Sequence, residues 1–338
     1  MSDNIINRAL EKSGWILADG GIGTQLFDMG LQAGDAPELW NKTESKKIRS
    51  LYKGSIDAGS DLFLTNSFGS NACRLRLHGK DKDSFELSKL SAEIASEEIN
   101  KQSRSIILAG SIGPTGEILE PLGSLSFREA VEIFHIQAEG LKEGGVDVLW
   151  IETISHFDEL RAAVKAAELS GIGWGGAMSF DTSGRTMMGH SSKDFSESIS
   201  KMPYKPLAYG ANCGVGPSDL IRTILGFSQS EIPIIAKGNA GIPQYREGKI
   251  HYDGTAEIMS VYACLARDAG AKIIGGCCGT TPIHLATMRQ ALENHKILEK
   301  PSIEKVVEKL GSLSSDFDGT EDSNDQPKRK SKRKHKAN

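Results

Sequence analysis

Eight short apolar runs, each followed by an amphipathic stretch, recur along the 338-residue chain, and this repetition constrains the fold more than any other feature. The runs are "WILADG" from Trp15, "DLFLTNSF" from Asp61, "IILAGSIG" from Ile106, "DVLWIET" from Asp147, "WGGAMSF" from Trp174, "LAYGANCG" from Leu207, "IPIIAKGNAG" from Ile232 and "KIIGGCCG" from Lys272. Stretches such as "SFREAVEIFHIQAEGLKEGG" and "HFDELRAAVKAAELSG" lie between them, with apolar residues three and four apart and a glycine at the end, the pattern of helices. Strand–helix units in this number and order predict an α/β fold of the (β/α)8 TIM-barrel type in a single domain. A doubly wound open sheet would need a break in the series, and none is visible.

The barrel is expected over residues 1–300. Residues 301–338 read as a last helical remnant, "SIEKVVEKL", and a disordered tail, acidic and then basic. That tail is either a solvated end or a surface-anchoring or nucleic-acid-contacting segment. Of 40 Lys and Arg, seven fall in the last eleven residues, which leaves 33 basic against 44 acidic residues in the body, a balance of −11 where the whole chain has −4. A body this acidic is a poor nucleic-acid binder. No run approaches the ~20 apolar residues of a membrane span. The amino-terminal "MSDNIINRALEKSGW" lacks the parts of a secretory signal, so a cytoplasmic location is expected. Five cysteines in such a chain suggest thiols or metal ligands rather than a disulfide framework.

In barrels of this kind, chemistry sits at the carboxyl ends of the strands. That rule selects Asp19, Asn66, Glu152, Asn212, Cys213, Asn239, Cys277 and Cys278. Cys213 ends the sixth run and Cys277 with Cys278 the eighth, two strands apart, or about 10 Å at ~4.8 Å per strand. Adjacent residues in a regular strand face opposite ways, so the two neighbouring cysteines share a partner only if the strand ends there. Gly275, Gly276 and Gly279 would supply the backbone freedom for such a turn. Three thiolates with an open fourth position would make a catalytic zinc site; the alternative is that the cysteines are small apolar fillers of a crowded barrel end.

The motifs "LADGGIGTQL", "LTNSFGSN", "GSIGPTGE", "WIETISHFDELRAAV", "GANCGVGP", "KGNAGIP" and "GGCCGTTPIH", in this order over residues 15–294, resemble the homocysteine S-methyltransferase family. That family includes betaine-dependent and S-methylmethionine-dependent enzymes and the homocysteine-binding module of cobalamin-dependent methionine synthase. The resemblance implies a (β/α)8 barrel, Zn2+ held by Cys213, Cys277 and Cys278, and methyl transfer to homocysteine giving methionine. It implies that Asp19 and Glu152, the catalytic candidates, hold the substrate ammonium. Gly20, Gly21 and Thr24 of "DGGIGT" would meet the substrate carboxylate, with Asn66 a further substrate-binding candidate.

The donor is less constrained. Where the betaine enzymes carry cage aromatics, this chain has Gly69 and Thr153. A small onium donor, glycine betaine first, would then need another aromatic face; Trp40, Phe68, Trp174 and Phe180 could build one, Trp40 the first candidate, with ordinary core the competing reading for each. S-methylmethionine, dimethylsulfoniopropionate, or methylcobalamin supplied in trans are the alternatives, since no second barrel or cobalamin-binding domain follows in this sequence. His190 and His284 read as structural, and "GSIGPTGE" lacks the Lys-Ser/Thr end of a P-loop. The competing class is a zinc-buffering or redox protein using the same thiols, for which an acidic amino-acid pocket would be superfluous.

Overall fold

The structure, a computed structural model, describes residues 4–246 and 249–315. The eight runs become eight strands: β1 Ile16–Leu17, β2 Leu62–Leu64, β3 Ile107–Ile112, β4 Val148–Ile154, β5 Trp174–Met178, β6 Ala208–Cys213, β7 Ile234–Gly238 and β8 Ala271–Gly276. All neighbours pair in parallel, in the order β1-β8-β7-β6-β5-β4-β3-β2. The two amphipathic stretches form helices Phe127–Glu143 and Phe157–Ser170, the second closed by Gly171 in the left-handed conformation.

The ring closes between β1 and β2 by a single bridge, Ala18 to Leu62, assisted by two carboxylates. The Asp61 N–H donates to the Leu17 carbonyl at 2.7 Å, and the Leu17 N–H to Asp61 Oδ2 at 3.0 Å. One step further, the Leu64 N–H donates to Asp19 Oδ2 at 2.9 Å. The barrel is therefore nearly closed, with side chains standing in for part of a ladder.

Alternation along the strands sends every second residue into the barrel. Ile16, Leu62, Leu64, Ile107, Ala109, Val148, Trp150, Ile235 and Ile273 form that interior cluster, and Ile6 of helix Ile5–Ser13 packs onto it. The larger cluster lies between strands and outer helices. In the same lanes, one step beyond the apolar layers, come Ser111 after Ala109, Glu152 after Trp150, Asn212 two past Gly210 and Lys237 after Ile235, all buried.

Between β7 and β8 the chain makes an antiparallel hairpin, Gln244–Arg246 with Lys249–His251, which the repeat did not announce. Helix Ile303–Leu310 packs on helices Pro217–Leu225 and Ala256–Asp268, with Val306 fully buried. Residues 311–315 continue onto the first of these: Ser314 donates twice to Asp219, and Arg222 donates to the Ser315 carbonyl at 2.7 Å. The tail expected to be disordered lies, from residue 316, outside the described residues. Among the described residues no helix is long and apolar enough to cross a membrane.

Candidate active site at the carboxyl end of the barrel

Cys213, Cys277 and Cys278 converge, with their three sulfur atoms within 4.8 Å of one another. β8 ends at Gly276, which satisfies the condition for neighbouring cysteines to share a partner. The backbone freedom is distributed differently from the expectation, however. Gly279 has φ +79°, whereas Gly275 and Gly276 stay extended and are glycine because space is short: a Cβ would lie 2.8 Å from that of Ala18 and 2.3 Å from the Thr280 side chain. Across the site the strained residue is Cys213 itself, at φ +62°.

Hydrogen bonds from other strand ends fix these turns. The Cys277 N–H donates to the Gly238 carbonyl at 2.7 Å and the Cys278 N–H to Asn239 Oδ1 at 3.0 Å. Asn239 Nδ2 donates to the Gly214 carbonyl at 2.6 Å, and, together with Cys277, its side chain lowers the pKa of the Cys213 thiol in part. The Asn212 amide reaches Cys277 Sγ at 4.0 Å. It also clamps Thr153, donating to its hydroxyl at 2.8 Å and accepting from its N–H at 3.1 Å. Thr153 sits at φ +61°, a costly conformation for a β-branched residue that this clamp maintains. Tyr252, at the foot of the hairpin, lays its ring where a side chain on Gly279 would be, and burial, with the Cys278 sulfur adding, raises its pKa.

The thiols share one electrostatic problem. Cys213 is pushed up to about 12: its hydrogen bond with Cys277 pulls downward, but that with Cys278, burial and the Cys278 charge prevail. Cys278 is likewise pushed up to about 12, the bond with Cys213 lowering while the bond and charge of Cys277 and burial raise. Cys277 is raised most directly by its bond with Cys213, with burial adding. Three such groups ionise together only around a cation. Sulfurs at ~2.3 Å from a tetrahedral zinc would stand ~3.8 Å apart. The donor set and the spacing therefore fit that ion.

The turn "DGGIGT" packs directly on the cysteine turn. A Cβ at Gly20 would come 2.5 Å from the Thr280 carbonyl oxygen, and one at Gly21 2.6 Å from that of Cys277. The Gly21 N–H donates to the Thr280 carbonyl at 3.1 Å, and Thr24 Oγ1 accepts from the Gly279 N–H at 3.1 Å. These residues thus shape the turn that presents the thiols.

The carboxylates stand beside a residue that sequence reasoning missed. Lys237, 2% exposed, pairs through Nζ with Asp19 Oδ1. Burial alone would lower its pKa, but Asp19, Glu152 and Cys277 hold it above the usual lysine value, so it is a cation. Glu152 accepts from Ser111 Oγ at 2.6 Å; burial raises its pKa, and Lys237 and the Ser111 bond offset only part of the rise.

The Asn66 amide donates to the Pro37 carbonyl at 2.9 Å and to Asn41 Oδ1 at 3.0 Å, tying the end of β2 to the segment that leads into the short helix Trp40–Thr43. The Trp40 ring, half-buried, carries the Lys47 ammonium 4.3 Å from its centroid. Trp174 and Phe180 are core, as weighed, while Phe68 is half-buried against Gly113. At Gly69 the space is filled by the Glu38 carboxylate, which accepts from the Gly69 N–H at 2.6 Å. His284 bonds Thr281 and the Gly254 carbonyl, and His190 stacks on Phe157 at 3.9 Å.

The family model described as homocysteine S-methyltransferase matches residues 16–292. Methionine synthase of Mycobacterium leprae is 26% identical over 320 residues, covering 89% of this chain but 26% of that protein. The chain thus spans about a quarter of the length of this curated relative. Crystal structures of the homocysteine methyltransferase MmuM from Escherichia coli share the fold. The oxidized form superposes with a TM-score of 0.69 at 23% identity over 85% of this chain and 99% of that one. The metallated form gives 0.68 at 22% identity over 84% and 99%.

Proposed function

Since the chain belongs to the homocysteine S-methyltransferase family, we propose that it methylates the sulfur of homocysteine to give methionine, with zinc held by Cys213, Cys277 and Cys278. The observation that carries the reading is the juxtaposition of three convergent thiols with a buried acidic pair at one barrel mouth. Zinc bound there would supply the positive charge that keeps the acceptor sulfur a thiolate, the nucleophilic form. The protein's part is positional. Asn212 and Asn239 fix the cysteine turns, and the acidic pair at the β1 and β4 ends supplies the carboxylate that seats the acceptor's ammonium so that its sulfur faces the thiol cluster. The acceptor thiolate would then attack the donor's methyl carbon in line, forming the new sulfur–methyl bond as the donor's methyl–nitrogen or methyl–sulfur bond breaks with its electron pair retained by the leaving amine or sulfide.

The donor we propose is a small onium compound, glycine betaine first, giving dimethylglycine. Support comes from the half-buried ring of Phe68 after β2; Trp40 would join it only once the Lys47 ammonium leaves its face. S-methylmethionine, dimethylsulfoniopropionate and methylcobalamin in trans are the remaining donors to test. The deciding assay follows methionine formation from homocysteine with each donor separately, with zinc measured on the same sample. Turnover with betaine and about one zinc per chain supports the reading. Turnover with methylcobalamin protein alone replaces the donor, and zinc without turnover with any donor favours the metal-buffering class. A cytoplasmic enzyme acting on small molecules, without nucleic acid or membrane, is the corresponding proposal for its setting.

A further inference from the structure

The two carboxylates at the mouth are unequally engaged. Asp19, 2% exposed, has both oxygens committed: Oδ1 to Lys237 Nζ and Oδ2 to the Leu64 N–H that helps close the barrel. Glu152, 8% exposed, spends Oε1 on Ser111, and among the described residues nothing bonds Oε2. Lys237 lies opposite Asn212 on β6 and Gly275 on β8, within electrostatic reach of Glu152 and Cys277 but ion-paired with Asp19. Its tethered ammonium occupies on Asp19 the contact that a substrate ammonium would otherwise make.

We infer that Lys237 is a specificity-determining residue of the acceptor site: it withdraws Asp19 from substrate recognition and leaves Glu152 as the single carboxylate that receives the acceptor's ammonium. The inference rests on the reading of the acceptor as homocysteine. Discrimination between homocysteine and the same thiol acid without its amino group, 4-mercaptobutanoate, then depends on Glu152. A charge-assisted hydrogen bond to a desolvated carboxylate supports at least about tenfold preference. Lys237 sets the charge of the pocket as well, since removing it exposes a second anion beside three thiols.

The test is calorimetric binding of homocysteine and of 4-mercaptobutanoate to the zinc-loaded full chain, which needs no methyl donor, with folding checked by circular dichroism. Glu152→Gln should collapse the preference to about one. Lys237→Met should widen it several-fold by releasing Asp19, and Asp19→Asn combined with Lys237→Met should restore it to within about threefold of the unaltered protein. The double variant also removes a buried pair together rather than stranding one charge, so it remains informative if Lys237→Met does not fold. Loss of preference in the double variant, to the level of Glu152→Gln, overturns the inference while leaving the homocysteine reading intact. Failure of the unaltered protein to bind homocysteine at all overturns both.

Discussion

At the amino-terminal end of the barrel, the inward lanes hold Ile16, Leu62, Ile107 and Val148, and Ile6 of the first helix packs beneath them. At the carboxyl end the same lanes continue into Ser111, Glu152, Asn212 and Lys237, joined by Asp19 and three cysteines. Below, the backbone departs from regularity in a register shift between Ala271 and Ile273 at the start of β8, whereas above Thr153 and Cys213 take left-handed conformations. The difference teaches that burial has two uses within one cylinder. Below, it stabilises by removing apolar surface from water; above, it keeps charges in a medium where each acts strongly on the next.

If the two ends are separable in this way, damage to one should spare the other. The largest expected effect is at the top: Cys277→Ala should abolish most zinc binding while shifting the thermal unfolding of the metal-free protein little, as elemental analysis and a melting scan in chelator would show. Retention of full zinc would break the comparison. At the bottom, Trp150→Ala opens a void in the barrel interior and should cost about 3–5 kcal/mol in denaturant unfolding, with the zinc-to-folded-protein ratio unchanged.

Much of this division was readable beforehand. All eight strands fall on the apolar runs, because a parallel strand buried on both faces writes a continuous apolar signal. The cysteines were found because strand ends can be located and chemistry expected there. Lys237 was in plain view, two positions after Ile235 in an inward lane, but its partner is 218 positions away, and pairing across a barrel leaves no local pattern. Tyr252 escaped for a different reason: it follows a hairpin that interrupts the repeat, and nothing in its neighbourhood marks it as facing a thiol. The opposite error concerns Gly275 and Gly276, where the composition suggested flexible backbone and the cause is crowding.

Smaller effects sharpen the contrast. Asn239→Ala removes a group that bonds both cysteine turns and should weaken zinc affinity about 10–100-fold, read by competition with a chromophoric chelator. Unchanged affinity would assign Asn239 to the scaffold. The smallest effect concerns Glu152, whose pKa is raised above 4.5 chiefly by burial. A carboxyl that binds its proton more tightly when folded makes the protein lose stability as pH rises through and above 4.5. Glu152→Gln should therefore melt at a higher temperature than the unaltered protein at pH 7, with the gap closing below pH 4.5. A gap that is absent or reversed at pH 7 would mean that Lys237 and Ser111 fully offset the burial.

The seam between β1 and β2 has a consequence for how the molecule breathes. Seven junctions of the ring are ladders of two or more paired residues, but at the eighth a single main-chain bridge, with the Asp61 N–H on the Leu17 carbonyl, is supplemented by the side chains of Asp61 and Asp19, which hold the Leu17 and Leu64 amides. Two carboxylate buttons thus fasten this seam beside one main-chain bridge, and it carries fewer ladder pairs than its neighbours. One button, Asp19, is also the lysine's partner at the mouth. The weakest line in the wall thus runs up to the site, and exchange of the Leu64 amide with solvent deuterium is a local gauge of whether the mouth is shut.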